Sequence, residues 1–355
     1  ACSPTCSTAP WIRGCAVSDL KRDAQRSRRP SGSLIAGFAL LGTIALAALF
    51  APWLAPYPPN EQLDTVGAKL RPPGTALLAV EIFNRGWRLC EKATRNGPTL
   101  VLECRGQKEE VPLADVLNAR PDGTFDRRVY RLGSDAVGRD VLSRLLYGAR
   151  VSLLVAALAT ALALSIGVAV GSLAALGGRW LDLIAMRAVD ALLTLPTLFL
   201  LIALAALFRP SDGLVIAVLG GTGWMGLARL VRAEFLSLKE REFVLAARGL
   251  GRSWIAILFD HLLPNARASI LVQTTLLASN VILAEAVLSF LGLGVQAPRA
   301  SWGTMISDGQ AVFASTGWLA VIPGLALVTT TIALHLICDG LQDRYDPRIR
   351  RTVLG

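Results

Sequence analysis

VSLLVAALATALALSIGVAVGSLAALGG, residues 151–178, contains no Asp, Glu, Lys or Arg. A hydrocarbon core about 30 Å thick is crossed by roughly 20 apolar residues in a helix, whose backbone groups satisfy one another, so this run is a membrane span. Five further segments are equally free of charge: Pro30 to Asn60, Ala191 to Phe208, Gly213 to Ala228, Ala268 to Ala284 and Gly309 to Cys338. The shortest, 213–228, reaches the headgroups if the aliphatic stems of Arg229 and Arg232 extend it. Of 355 residues, 53% are hydrophobic and 17% charged, against about 25% charged in an ordinary soluble domain. That composition excludes a disordered chain, a coiled coil and a disulfide-dense secreted module. The expected fold is an all-α polytopic membrane protein of six spans, the first at 33–54 and the others within a core of 132–338.

Orientation follows from Lys and Arg, which stay cytoplasmic near span ends. Six basic residues, Arg13 to Arg29, precede the first span. With that side inside, the inner segments carry nineteen and the two short outer loops one each, Arg209 and Arg299. The long loop 55–150 is not counted, because long loops translocate regardless of charge. Both termini, 1–32 and 339–355, are thus expected in the cytoplasm. The net charge of +10 then reads as topology in contact with lipid, not as nucleic-acid binding. A basic stretch before an apolar run also describes a signal peptide, but the run from Ser33 to Leu54 is too long and more spans follow, so it is expected to stay uncleaved.

Residues 55–131 form an expected extracytoplasmic insertion, mixed or β-rich, with strand-like runs at Leu77 to Phe83 and Thr99 to Glu103. Cys90 and Cys104 flank an Asn96-Gly97 turn signal, and either a disulfide across a hairpin or two free thiols fits. The six cysteines show no CxxC pair or His at metal spacing, so no metal site is expected. After Ser134 the period becomes helical. Val137, Val141, Leu142, Leu145, Leu146 and Ala149 oppose Arg139, Asp140 and Arg144, which predicts an interfacial helix leading into span 2.

The loop between spans 4 and 5, about 237–266, carries a stripe of Phe243, Ala246, Ala247, Leu250, Trp254, Leu258 and His261 at helical spacing. Gly249 and Gly251 interrupt it and Pro264 ends it, which predicts two short helices with a bend. Small residues on the stripe permit a partner's backbone to approach, and packing on the protein's own inner face accounts for the pattern equally well. Of the polar residues in the spans Glu285 is the clearest, with Gln273 and Asn280 earlier on the same span, and desolvating such groups costs several kcal/mol unless they face protein or water. At 100° per residue, Gln273 and Asn280 share a face and Glu285 is turned off it. Glu285 is expected to lock neighbouring helices through hydrogen bonds in preference to contacting substrate. Pro196 and Pro323-Gly324 should bend their helices.

The segment Glu242-Phe243-Val244-Leu245-Ala246-Ala247-Arg248-Gly249-Leu250-Gly251, followed by His261-Leu262-Leu263-Pro264-Asn265, resembles the EAA loop of ABC importer permeases. Other motifs appear in order: Gly133-Ser134-Asp135, Gly138-Arg139-Asp140, Ser143-Arg144, Tyr147-Gly148-Ala149-Arg150 and Ser152, then Glu285-Ala286, Leu288 to Gly294, Trp302-Gly303, Asp339-Gly340-Leu341 and Asp346-Pro347-Arg348. They are similar to the C-type permease subunit of the dipeptide, oligopeptide and nickel branch, over about Arg131 to Arg351 plus span 1. Leu245 stands where the motif usually has glutamate, so a salt bridge made there is absent or replaced, with Glu242 one turn earlier the nearest carboxylate. Nothing carries over to the long insertion.

The resemblance implies a type I importer permease that performs no covalent chemistry and binds no cofactor. Glu242, Ala246, Ala247, Gly249, Gly251, His261, Pro264 and Asn265 would dock on one of two cytoplasmic ABC ATPases, which hold ATP and magnesium. A homologous permease subunit would complete the pathway as a heterodimer, and an extracytoplasmic solute-binding protein would deliver di- or oligopeptides, with nickel or another small solute as the alternative. The expected location is the bacterial inner membrane. The residues agree on the division of labour: none of the five lysines is followed by Ser or Thr, as a P-loop requires. An ion-coupled secondary transporter is the rival from another class, but it calls for charges in several spans and an internal repeat. One intramembrane carboxylate and no repeat are found.

Overall fold

The computed structural model describes residues 32–118, 125–194, 196–208 and 210–345. The basic residues before span 1, Arg209 and Asp346-Pro347-Arg348 lie outside them. The chain is a mostly helical membrane protein with a small β-rich insertion after its first helix. Among the described residues, five stretches are long and apolar enough to cross a membrane: Gly32–Leu49, Val141–Leu176, Asp212–Lys239, Trp254–Phe290 and Trp318–Tyr345. We label Gly32–Leu49 α1, Ala51–Leu54 α2, Val141–Leu176 α3, Arg179–Leu193 α4, Thr197–Leu207 α5 and Asp212–Lys239 α6. Glu242–Gly249 is α7, Trp254–Ile257 α8, Leu263–Phe290 α9, Trp302–Gln310 α10 and Trp318–Tyr345 α11.

Helix α3 is the spine. Its side chain at Asp140 accepts from the Ser143 amide at 2.7 Å, which caps the first turn. The 36 residues that follow rise about 54 Å without a proline. The interfacial helix expected before span 2 is therefore no separate element: residues 134–140 are loop, and 141–150 are the first turns of the span itself. Along α6 the spine makes close backbone contact. A Cβ on Gly171 would meet the Ala228 carbonyl oxygen at 2.7 Å, so only glycine admits this approach.

Three other expected boundaries change. The third crossing, expected over 191–208, is not found as one helix: α4 ends at Leu193 and α5 begins at Thr197. Proline lacks an amide hydrogen and disfavours helical geometry before it, and the break falls at Pro196. The 11 residues of α5 rise only about 16 Å. Pro264 ends nothing. A π-helical turn at Leu258–Leu262 carries α8 into α9, Leu262 before Pro264 is already helical, and the amide donor that Pro264 lacks is absorbed where the ladder passes from π to α. The last span begins at Trp318, because 311–317 are turns after α10. Pro323 lies inside α11 without ending it.

The insertion holds two three-stranded antiparallel sheets. The first has the order β2 (Gly86–Cys90), β1 (Thr75–Ile82), β6 (Asp126–Tyr130); the second has β3 (Lys92–Asn96), β4 (Thr99–Cys104), β5 (Gln107–Pro112). Asn96 pairs with Thr99, so Gly97-Pro98 close the β3–β4 hairpin. Val80, Ile82, Leu100, Leu102 and Val111 fill the space between the sheets, and a Cys90–Cys104 disulfide joins β2 to β4. Asp64, 6% exposed, accepts from the amides of Val66, Gly67 and Leu89 and ties the linker to β2. The insertion is fastened to the helical core by Ser134, whose amide donates to the Arg71 carbonyl at 3.1 Å, and by the Tyr57 amide, which donates to Ser143 Oγ at 3.3 Å.

Candidate functional site

At the bundle end away from the insertion, α7 runs to Gly249, and Gly251 at φ +81 reverses the chain. Ser253 Oγ then accepts from the Ala256 amide at 3.3 Å to open α8. Val244, Ala247, Ile257 and Leu262 turn inward onto Ala175 of α3 and Val231 and Phe235 of α6. Trp254 is held between cations, with Arg248 Cζ 4.2 Å and Lys239 Nζ 4.9 Å from its ring centre. Lys239 also donates to the Ala175 carbonyl at 3.1 Å, so the loop is rooted in both long helices.

The outer face of this loop is apolar. Leu250 is 86% exposed, and Leu245, Ile255, Phe259 and Phe243 are exposed beside it. Glu242, Ala246, Gly249 and Gly251 share the exposed side, as do Pro264 and Asn265. The Asn265 carboxamide donates to the His261 carbonyl at 2.6 Å, and the His261 ring stands edge-on to Phe243 with centres 6.1 Å apart. Ala247 is the correction. Its spacing placed it with Ala246 on one stripe, but at 8% exposed it belongs to the loop's root. A single helix face cannot hold both of two successive residues 100° apart, and the apolar residues of α7 serve two surfaces. Ile255 and Phe259 lie off the stripe and are exposed nonetheless, large apolar side chains among Lys, Glu and Arg.

At the insertion end, the ordered motifs converge. Glu285 of α9 is fully buried and accepts from Ser289 Oγ at 2.7 Å. Its Oε2 is buried without a hydrogen-bond partner, and the hydroxyls of Ser152 and Ser301 are the donors facing the carboxylate. Ser152 Oγ accepts from the Trp302 amide at 3.2 Å, and Trp302 Nε1 donates to the Leu145 carbonyl at 3.3 Å. Gly303 lies so close to α9 that a Cβ would meet the Ala286 carbonyl at 2.4 Å. The knot joins α3, α9 and α10. Asn280 is exposed and Gln273 half-buried, so neither enters it.

Beside the knot, Asp135 Oδ2 lies 2.6 Å from Arg139 Nε, and Asp308 Oδ2 lies 3.1 Å from Arg144 Nη2 and 3.3 Å from Arg139 Nη2. Asp140 and Arg144, expected on a solvated face, are 2% and 3% exposed. Periodicity identified that face as polar; the partner that buries it, Asp308, comes from α10 and has no local signal.

Residues 167–351 match the family described as binding-protein-dependent transport system inner membrane component. Residues 33–73 match the N-terminal transmembrane domain of oligopeptide transport permease C. A putative peptide permease protein of Brucella ovis is 46% identical over 218 residues, 61% of this chain and 72% of that protein. The dipeptide transport system permease protein DppC of Bacillus subtilis is 43% identical over 220 residues, 62% of this chain and 69% of that protein. The oligopeptide transport system permease protein OppC of the same organism is 41% identical over 219 residues, 62% and 72% of the two chains.

Proposed function

Because the chain belongs to the family of binding-protein-dependent transport system inner membrane components, we propose that it forms one half of the translocation pathway of an ATP-driven ABC importer for short peptides. The chain itself holds no nucleotide and catalyses no reaction. Two partner ATPases bind ATP and magnesium in the cytoplasm, a homologous permease completes the pathway, and an external solute-binding protein delivers the peptide. Both termini face the cytoplasm of a bacterial inner membrane, and the α7–α8 loop is the coupling surface.

One observation carries the coupling role: an exposed apolar face at Leu245, Leu250, Ile255 and Phe259 stands on a root buried against α3 and α6. Exposed apolar patches of this kind mark protein contact surfaces. Leu245 gives the partner an apolar contact in place of an ionic one. A displacement applied to the face is delivered to α6 through Val244 and Ala247, and to α9 through the continuous helical path from Trp254 to Phe290. From Trp254 to Glu285 that path is about 46 Å long, so it ends in the Glu285 knot. ATP-driven closure of the ATPases thereby shifts a bistable helix packing between inward-open and outward-open forms.

Purification with native partners tests the assignment. A stoichiometric P-loop ATPase should accompany the chain, and vesicles holding the full assembly should accumulate a radiolabelled dipeptide only when ATP and the binding protein are supplied. Vesicles holding this polypeptide alone that concentrate peptide on an ion gradient would establish a secondary transporter instead. Uptake of nickel but of no peptide would overturn the substrate class.

A further inference from the structure

An open cavity of about 450 Å³ lies at the insertion end, between α3, the linker after α2 and the loop before α10. Tyr147, Arg150, Val151 and Leu154 line it from α3 at positions i, i+3, i+4 and i+7, which places them on one helix face. Asn60 and Arg299 close it from the other two segments. The Arg299 guanidinium is paired with Asp212. Arg150, exposed to the cavity mouth, has neither hydrogen bond nor ion pair among the described residues, and the Tyr147 phenol and Asn60 carboxamide are likewise unengaged there.

The lining therefore carries one uncompensated cation, two neutral hydrogen-bonding groups and an apolar floor of Val151 and Leu154. We propose that this cavity receives the C-terminal end of a short peptide, its carboxylate held by the Arg150 guanidinium and its last side chain on Val151 and Leu154. The inference rests on the peptide-importer reading above. A planar guanidinium matches a carboxylate with two parallel hydrogen bonds, and a single free cation matches a single negative charge. Tyr147 and Asn60 supply the acceptor and donors that a terminal peptide group needs. The volume falls in the range of about 300–1,000 Å³ typical of small-molecule sites.

The test uses the full importer in vesicles with Pro59→Cys, a cavity-lining position given no contact with the peptide, labelled by a membrane-impermeant maleimide and read by mass at position 59, without the binding protein. Alanyl-alanine at millimolar concentration should slow labelling severalfold, while its C-terminal amide should not. Arg150→Gln should abolish the protection and Arg150→Lys should weaken it. Equal protection by the amide, protection surviving in Arg150→Gln, or protection by phosphatidylglycerol in place of peptide each overturns the proposal. A cysteine at 59 that never reacts in the assembly does so too, since a neighbouring subunit then covers the cavity. The same vesicles, supplied with binding protein and ATP, are assayed for dipeptide uptake. Uptake without protection overturns the cavity assignment alone, whereas absence of any peptide uptake overturns the reading it rests on.

Discussion

Arg144 and Asp308 stand 164 residues apart in sequence, and their side chains meet at 3.1 Å beside Asp135 and Arg139. The Arg144 side chain is 4% exposed while that of Asp308 is 48% exposed, so the acid is the solvent-facing half of a pair whose base is buried. The contact pins α10 to the first turn of α3, next to the Glu285 knot. It fixes the position of the element that closes the insertion end of the bundle.

Removing the acid leaves a buried guanidinium between Arg139 and the more distant Asp135, 3.6 Å away. Breaking a fully buried pair costs about 3–5 kcal/mol. Screening at the half-exposed partner reduces that figure, and Asp308→Ala is expected to cost about 2 kcal/mol. Thermal melting in detergent checks it. The double variant Arg144→Met with Asp308→Ala should lose less than the two single losses together, because the unpaired charge is gone.

In the insertion, Arg71 Nη1 lies 2.6 Å from Glu91, and the Arg105 amide donates to the same carboxylate at 2.9 Å. Burial raises the Glu91 carboxyl, but the Arg105 amide and the Arg71 guanidinium outweigh it, and the net direction is downward. A lowered folded value means that its stabilisation is present above the ordinary carboxylate range and is lost as pH falls through the folded value. Wild type should therefore melt higher than Glu91→Gln near neutrality, with the gap closing as pH falls from about 6 to 3. A gap that widens on acidification contradicts the assignment.

The Cys90–Cys104 bridge spans 14 positions and joins the two sheets. Closing a loop of that length is worth about 3 kcal/mol. Cys90→Ser with Cys104→Ser should expose 75–130 to limited proteolysis while the helical core, which the bridge does not touch, stays protected. Equal resistance of both forms would show that apolar packing alone holds the sheets together.

For the loop, Leu250→Arg places a charge at an exposed site and should leave melting unchanged while eliminating ATPase co-purification and uptake. Ala247→Arg forces a charge into the loop's root and should lower the melting temperature itself. Equal melting behaviour of the two variants contradicts the division of α7 into an outer and an inner face.

The residues alone located the main membrane helices and several turns, which depend on contact with lipid or on neighbours close in the chain. Long uncharged runs specify helices whatever they pack against, because an unpaired backbone group in hydrocarbon costs several kcal/mol. Asn96-Gly97 marks the β3–β4 hairpin, and Gly249 and Gly251 mark the bend after α7, since turns are local events. What the tertiary structure decided concerns pairs brought together from far apart. A lipid-facing leucine and a core leucine look alike in one dimension, so the inward turn of Ala247 is visible only against Phe235. Arg144 reads as solvated until Asp308 arrives from α10. A proline costs a helix one amide donor, and only the tertiary structure shows that the chain breaks at Pro196 but runs through Pro264 behind a π-helical turn.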